Sequence, residues 1–138
     1  MYYCTIEVIQ GGENMKWNID NNKPIHSQLV EQLKSKIISG EIEIGSKLEP
    51  VRVMAQEAEV NPNTMQKALV ELENQGLAYS KRTTGRFVTE DFEIVKNMRE
   101  EVAIQSIKEL QETLKKLGYS NAEIIELIKQ NLRSEINE

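Results

Sequence analysis

The sequence predicts a mainly α protein with one small β-hairpin: three helices, the hairpin, then a two-helix tail. Three observations carry this. Apolar residues recur at helical spacing in two segments separated only by Glu59 to Asn61. After Gly76 the period switches to two on either side of a Lys-Arg-Thr-Thr-Gly loop. Beyond Asp91 the period is helical again, with a break at Gly118. Three helices followed by a hairpin is a winged helix-turn-helix plan.

Pro24 is expected in the first turn of helix one, where its missing N–H has no intrahelical partner anyway. Ile25, Leu29, Leu33 and Ile37 follow at intervals of four, and Gly40 is the expected C-cap. Glu41 to Gly45 has no helical period and reads as a connector. Helix two is expected over about Pro50 to Ala58. Helix three starts at Asn61, a good N-cap, with Pro62 in its first position. Met65, Ala68, Leu69 and Leu72 form its inner face, and Gly76 closes it. Short strands are expected over 77–80 and 86–89, joined by a loop over 81–85 in which Gly85 supplies a positive φ.

The tail starts with Glu90, Asp91 and Glu93, acids that favour a helix N-terminus. Ala103, Ile107, Leu110, Leu114 and Leu117 recur at spacings of four and three, an apolar seam shorter than a dedicated coiled coil needs. Ser120-Asn121-Ala122-Glu123 is a capping box. The helix it opens carries Ile124, Ile125, Ile128 and Leu132, a face wide enough for two surfaces. Two such helices cannot enclose a roomy ligand pocket. They can bury their stripes against a second copy, so these nine tail residues are the expected dimer contacts.

Composition narrows the function. The 138 residues carry a net charge of −5, which excludes a uniformly basic nucleic-acid coat. The acids concentrate at the ends. Residues 1–15 carry two acids and no base, residues 16–90 ten of each sign, and residues 91–138 ten acids against seven bases. An anion-binding face belongs in the middle. One Cys and one His give neither a disulfide nor a His/Cys zinc cluster, so no metal or cofactor is expected. His26 and Cys4 have no nucleophile–base pattern around them, and no enzyme is expected. Neither a membrane span nor a secretory start is visible, and a cytoplasmic location is expected.

The function signal lies in the helix-turn-helix spacing. Met54, Ala55, Ala58, Val60, Met65 and Ala68 fall where two crossing helices need apolar or small residues. Helix three then keeps its start and outer face free for a major groove. Asn63 and Gln66 are amides suited to an adenine edge, and Lys67 reaches guanine or phosphate. Lys81, Arg82, Thr83, Thr84, Gly85 and Arg86 form a loop of three cations and two hydroxyls without an acid, suited to phosphate contact or minor-groove entry. Arg52 is expected at a phosphate, with an ion pair to Glu49 or to neighbours on the Gln56 side as the alternative. Glu59 stands where the turn commonly has a left-handed Gly, at a cost of roughly 1 kcal/mol.

Residues 15–90 resemble the DNA-binding domain of GntR-family bacterial regulators. The matching stretches are Pro24 to Leu29, Gly45 to Leu48, Val51 to Ala55, Val60 to Met65, Gly76-Leu77 and Gly85 to Val88. The two-helix tail is similar to the short YtrA-like branch. Two departures stand out: Leu48-Glu49-Pro50 replaces the usual Leu-Pro-Ser, and His26 replaces a common tyrosine. The resemblance implies a homodimer on a roughly palindromic double-stranded operator. It carries DNA contact onto Arg52, Asn61, Asn63, Thr64, Gln66 and Lys67 and onto the wing around Gly85. It also suggests repression of a neighbouring transporter operon. A small-molecule effector would sit between subunits or between tail and winged domain.

The expected organisation is therefore residues 15–90 as the winged domain and 91–138 as the dimerisation domain. A hinge near Thr89 to Asp91 would let two winged domains adjust their spacing. Residues 1–14 are expected to be translated leader, because Gly11-Gly12-Glu13-Asn14 requires a purine-rich, ribosome-binding-like stretch before Met15. The alternative there is a genuine N-terminal strand. The competing function is a winged helix used as a protein-interaction module, which the acidic net charge favours slightly and the basic loop disfavours.

Overall fold

The computed structural model describes residues 16–136; the expected leader lies outside them. Helix α1 spans Ile25–Ile38, α2 Val51–Ala58 and α3 Pro62–Asn74. Strands β1 (Ala78–Lys81) and β2 (Gly85–Val88) form the hairpin, and α4 (Phe92–Lys116) and α5 (Asn121–Ile136) follow. The chain divides into two compact units, one through Phe92 and one from Glu93.

The core of the first unit joins the inner faces of α1, α2 and α3. Leu29, Leu33, Ile37, Met54, Met65, Leu69 and Leu72 are all buried, with Leu77 and Val88 closing the core from the hairpin. Pro24 is the N-cap of α1 and lies one residue before the helix, because its ψ of 120° is extended. Asn61 caps α3: its side chain accepts from Asn63 N at 2.8 Å, and Pro62 stands first in the helix.

Helices α2 and α3 end alike. After α2, Val60 N donates to Ala55 O and Glu59 N to Gln56 O. After α3, Leu77 N donates to Leu72 O and Gly76 N to Glu73 O. Both are Schellman ends, which need one left-handed residue. Gly76 supplies it at φ 80°, and Glu59 supplies it at φ 56° despite its Cβ.

The hairpin is tighter than the sequence suggests. Lys81 pairs with Gly85, so the loop is only 82–84, and Leu77 and Thr89 fall outside the strands. Thr83 takes a positive φ of 72° in addition to Gly85 at 118°. A third rung also joins. Lys47 bridges Phe87, Leu48 N donates to Arg86 O, and Val88 N donates to Ser46 O. The predicted connector thus leads directly into a sheet edge.

Residues 16–20 run antiparallel along α1 on side-chain rungs. Gln32 Oε1 accepts from Asn18 N at 3.0 Å while its Nε2 donates to Asn18 O at 2.6 Å. Gln28 does the same with Asp20 N and O, both at 2.8 Å. Lys36 donates to Lys16 O at 3.0 Å. Four residues of helix (~6 Å) and two of extended chain (~6.6 Å) nearly match, so the rungs stay in register. Lys36 is buried, but its charge is met by Glu41 at 3.6 Å and by the Trp17 ring at 5.6 Å.

In the second unit, α4 ends at Gly118 (φ 98°) in another Schellman end, with Tyr119 N donating to Leu114 O. The capping box of α5 is formed both ways. Ser120 N donates to Glu123 Oε1, and Glu123 N donates to Ser120 Oγ. From Arg99 to Leu110 every residue of α4 is exposed. No helix among the described residues is long and apolar enough to cross a membrane.

Candidate nucleic-acid interface

The Asn61 cap and Pro62 fix where α3 begins, and so which residues its first two turns present. Asn63, Gln66 and Lys67 are exposed and Thr64 is half-buried. Among the described residues none of these four side chains has a hydrogen-bond or ion-pair partner. Val70 continues the same face one turn on and is 40% exposed. Asn61 itself is partly committed, since its Oδ1 holds the cap. Arg52 stands exposed in the first turn of α2, and no described carboxylate pairs with it. The alternative ion pair to Glu49 is therefore not formed. Glu49 instead faces Glu57, whose carboxyl is pushed up by burial and by the Glu49 charge.

The wing sorts its cations into two kinds. Arg82 is exposed in the loop, beside Thr83 and Thr84. Lys81 is exposed but guided: its Nζ lies 5.0 Å from the Phe87 ring and 5.8 Å from the Tyr79 ring. Those rings are cross-strand partners stacked at 5.8 Å. Burial and the neighbouring Glu90 carboxylate hold the Tyr79 phenol above its ordinary value, so it stays a neutral donor to Glu90 Oε1.

Arg86 departs from the expectation. It turns back from the loop and donates through Nε to Glu73 Oε1 at 2.6 Å, leaving its side chain only 15% exposed. The reason is register. Alternate residues of a strand face opposite ways, and Arg86 pairs with Ser80 on the face toward α3. Glu73 is held below its ordinary value: burial alone would raise it, but the Ser80 and Arg86 hydrogen bonds and the Arg86 charge prevail.

The sequence reading missed Lys47. The third rung brings its stem over Gly85, where an added Cβ would come within 3.0 Å of Lys47 Cε. Gly85 is thus favoured by its φ of 118°, while the Lys47 approach asks only that the flexible end of an exposed lysine stay beside it. An exposed Lys47 beside Lys81 and Arg82 restores a third cation in place of Arg86. The signal was weak, a single Lys after Gly45-Ser46 in an aperiodic stretch.

Most expected dimer contacts present free apolar surface. Ile107 is 64% exposed, Leu117 69% and Leu132 56%, with Leu110, Ile125 and Ile128 also exposed. Ala103 is exposed and Leu114 half-buried. Ile124 is the exception. It is buried within its own protomer and has little area to offer a partner. Phe92, Val102 and Ile104 are exposed apolar residues that the seam spacing did not include.

The described residues hold no group of three or more His, Cys, Asp or Glu able to bind a metal. Residues 25–88 match the family described as bacterial regulatory proteins, gntR family. The uncharacterized HTH-type transcriptional regulator YhcF of Bacillus subtilis is 33% identical over 109 residues, covering 79% of this chain and 90% of YhcF. The HTH-type transcriptional repressor YtrA of Bacillus subtilis is 35% identical over 71 residues, covering 51% of this chain and 55% of YtrA. A GntR family transcriptional regulator from Listeria monocytogenes superposes with a TM-score of 0.76 at 36% identity, covering 81% of this chain and 98% of that one. Helices, hairpin and tail together therefore place the chain in the GntR family of winged-helix, DNA-binding transcription regulators.

Proposed function

We propose that the protein is a homodimeric repressor that binds a roughly palindromic operator. The observation that carries this is the row Asn63, Thr64, Gln66 and Lys67 at the start of α3, polar groups with no partner in their own protomer. Such groups suit base edges in a major groove, with the α3 N-terminus on a phosphate. Arg52, Asn61, Lys47 and the wing residues Lys81, Arg82, Thr83, Thr84 and Gly85 take the flanking backbone. The exposed stripe of Ile107, Leu110 and Leu117, with Ile125, Ile128 and Leu132, is the surface a second copy would cover. Two-fold symmetry then sets the recognition helices about one DNA turn, roughly 34 Å, apart. The likeness to YtrA, named a repressor, supports repression as the sign of regulation. A transporter operon in the cytoplasm is the target the resemblance suggests, under a small-molecule effector.

Fluorescence anisotropy against the duplex upstream of the protein's own gene tests this, run across a salt series with a scrambled duplex as control. Tight binding to the native duplex alone, weakening as salt rises, is expected. Equal weak binding to both duplexes would instead point to an effector needed for the competent state or to a winged helix that addresses a protein.

A further inference from the structure

One carboxylate oxygen ties the recognition helix to both strands of the wing. Glu73 sits in the last turn of α3. Its Oε1 accepts from Ser80 Oγ at 2.5 Å and from Arg86 Nε at 2.6 Å. Ser80 and Arg86 are cross-strand partners, one on β1 and one on β2. The same Arg86 backbone also accepts Leu48 N, so the third rung is held at that level. Helix, both strands and the Lys47 rung thus meet around a single, largely shielded ion pair.

We propose that Arg86 is a positioning residue that never touches DNA. The Glu73–Ser80–Arg86 clamp sets the distance between the wing cations and the reading face of α3. The physical reason is selectivity. A phosphate contact made by a loosely held wing adds affinity for any duplex. A wing fixed relative to α3 adds affinity only where groove and backbone are met in one register. Shielding makes the clamp stiff, because leaving either charge buried alone is costly. The lowered Glu73 carboxyl is consistent with this, being ionised wherever the clamp is closed. The inference rests on the operator reading above, and the experiment separates the two.

The test uses the full chain, the same native and scrambled duplexes, and the variants R82A, R86E, E73R and the double swap E73R/R86E. Amide hydrogen exchange is followed in parallel on the DNA-free protein. R82A should lower the salt slope by about one while leaving exchange unchanged. R86E and E73R each place like charges at the clamp, so each should speed exchange at Leu48 and Val88 and weaken native-duplex binding by about tenfold or more. The double swap reverses the pair and should recover most of both losses. If Arg86 were a phosphate ligand, R86E would stay as damaging in the double swap as alone; that outcome overturns the clamp and leaves operator binding intact. Unchanged exchange in both single variants would overturn it without reference to DNA. Rescue of exchange with no wing variant, R82A included, altering binding would sink the operator reading and the proposal with it.

Discussion

In the winged unit, α1 and α3 bury apolar faces against each other, and Leu29, Leu33, Met54, Met65, Leu69 and Leu72 all lose their contact with water. In the tail, α4 runs from Arg99 to Leu110 without one sheltered side chain, although Ile104, Ile107 and Leu110 lie along it. Both units carry amphipathic helices, although the winged unit adds a hairpin and longer connectors. They differ in where their apolar surface finds a partner. The winged unit satisfies its own surface, while the tail displays a contiguous stripe of the kind that marks an interaction site. The same apolar periodicity thus has two consequences, a core where three faces converge and an exposed apolar face where they do not.

The largest expected effect breaks the self-contained side. Leu33→Ala should destabilise the winged unit by about 2–5 kcal/mol, because a fully buried leucine leaves a cavity. Urea unfolding would read it as a lower midpoint, whatever the protein concentration. The tail should respond differently. Ile107→Asp should leave the winged unit's unfolding unchanged and raise the dimer dissociation constant by about a hundredfold or more, since each copy contributes one lost apolar contact. Sedimentation across a concentration series checks this. An Ile107→Asp chain as dimeric as the parent would remove the stripe from the interface.

The wing sharpens the contrast between groups that hold the unit together and groups left free. Lys47→Ala should cost little stability, because the Lys47 ammonium has no ion-pair partner among the described residues. It should lower the salt slope of operator binding by about one. The acids give a pH version of the same test. Glu73 and Glu123 both titrate below the ordinary 4.5, Glu73 through Ser80 and Arg86 against its burial, and Glu123 through the backbone and side chain of Ser120. A depressed native pKa means stability that is present above the unfolded value and is lost as pH falls through the native one. Acid unfolding of Glu73→Gln should therefore diverge from the parent above pH 4.5 and converge with it below the depressed value. Glu123→Gln, fully exposed, should shift α5 helicity only slightly over the same range.

Much of this was legible beforehand because it is local. Asn61-Pro62 announces a helix start through the cap and the missing N–H, and Ser120 to Glu123 announces another. The apolar spacing of α1 and α3 identified most of the core. What stayed hidden is non-local. Arg86 meets Glu73 across 13 residues, and that it faces α3 follows from its place opposite Ser80 and from which face of the hairpin α3 packs on. Lys47 joins the wing through pairing with Phe87, far along the chain. The Gln28–Gln32–Lys36 ladder had a readable spacing of four on α1. Its partners, Asn18, Asp20 and Lys16, offer only backbone, which carries no sequence signal.

The smallest effect compares how the two units end their helices. In the winged unit α2 turns on Glu59, and in the tail α4 turns on Gly118; both close Schellman ends with positive φ. A Cβ in the left-handed region costs roughly 1–2 kcal/mol, whereas glycine avoids that cost and loses more backbone entropy on folding. Glu59→Gly should therefore stabilise the winged unit by about 0.5–1 kcal/mol, the strain released less the added entropy. Gly118→Ala should weaken the α4 end by about 1 kcal/mol through backbone strain alone, since an added Cβ there meets nothing within 4 Å. Thermal unfolding of the two variants should move in opposite directions. A Glu59→Gly chain less stable than its parent would mean that the Glu59 side chain contributes an interaction worth more than the strain it imposes.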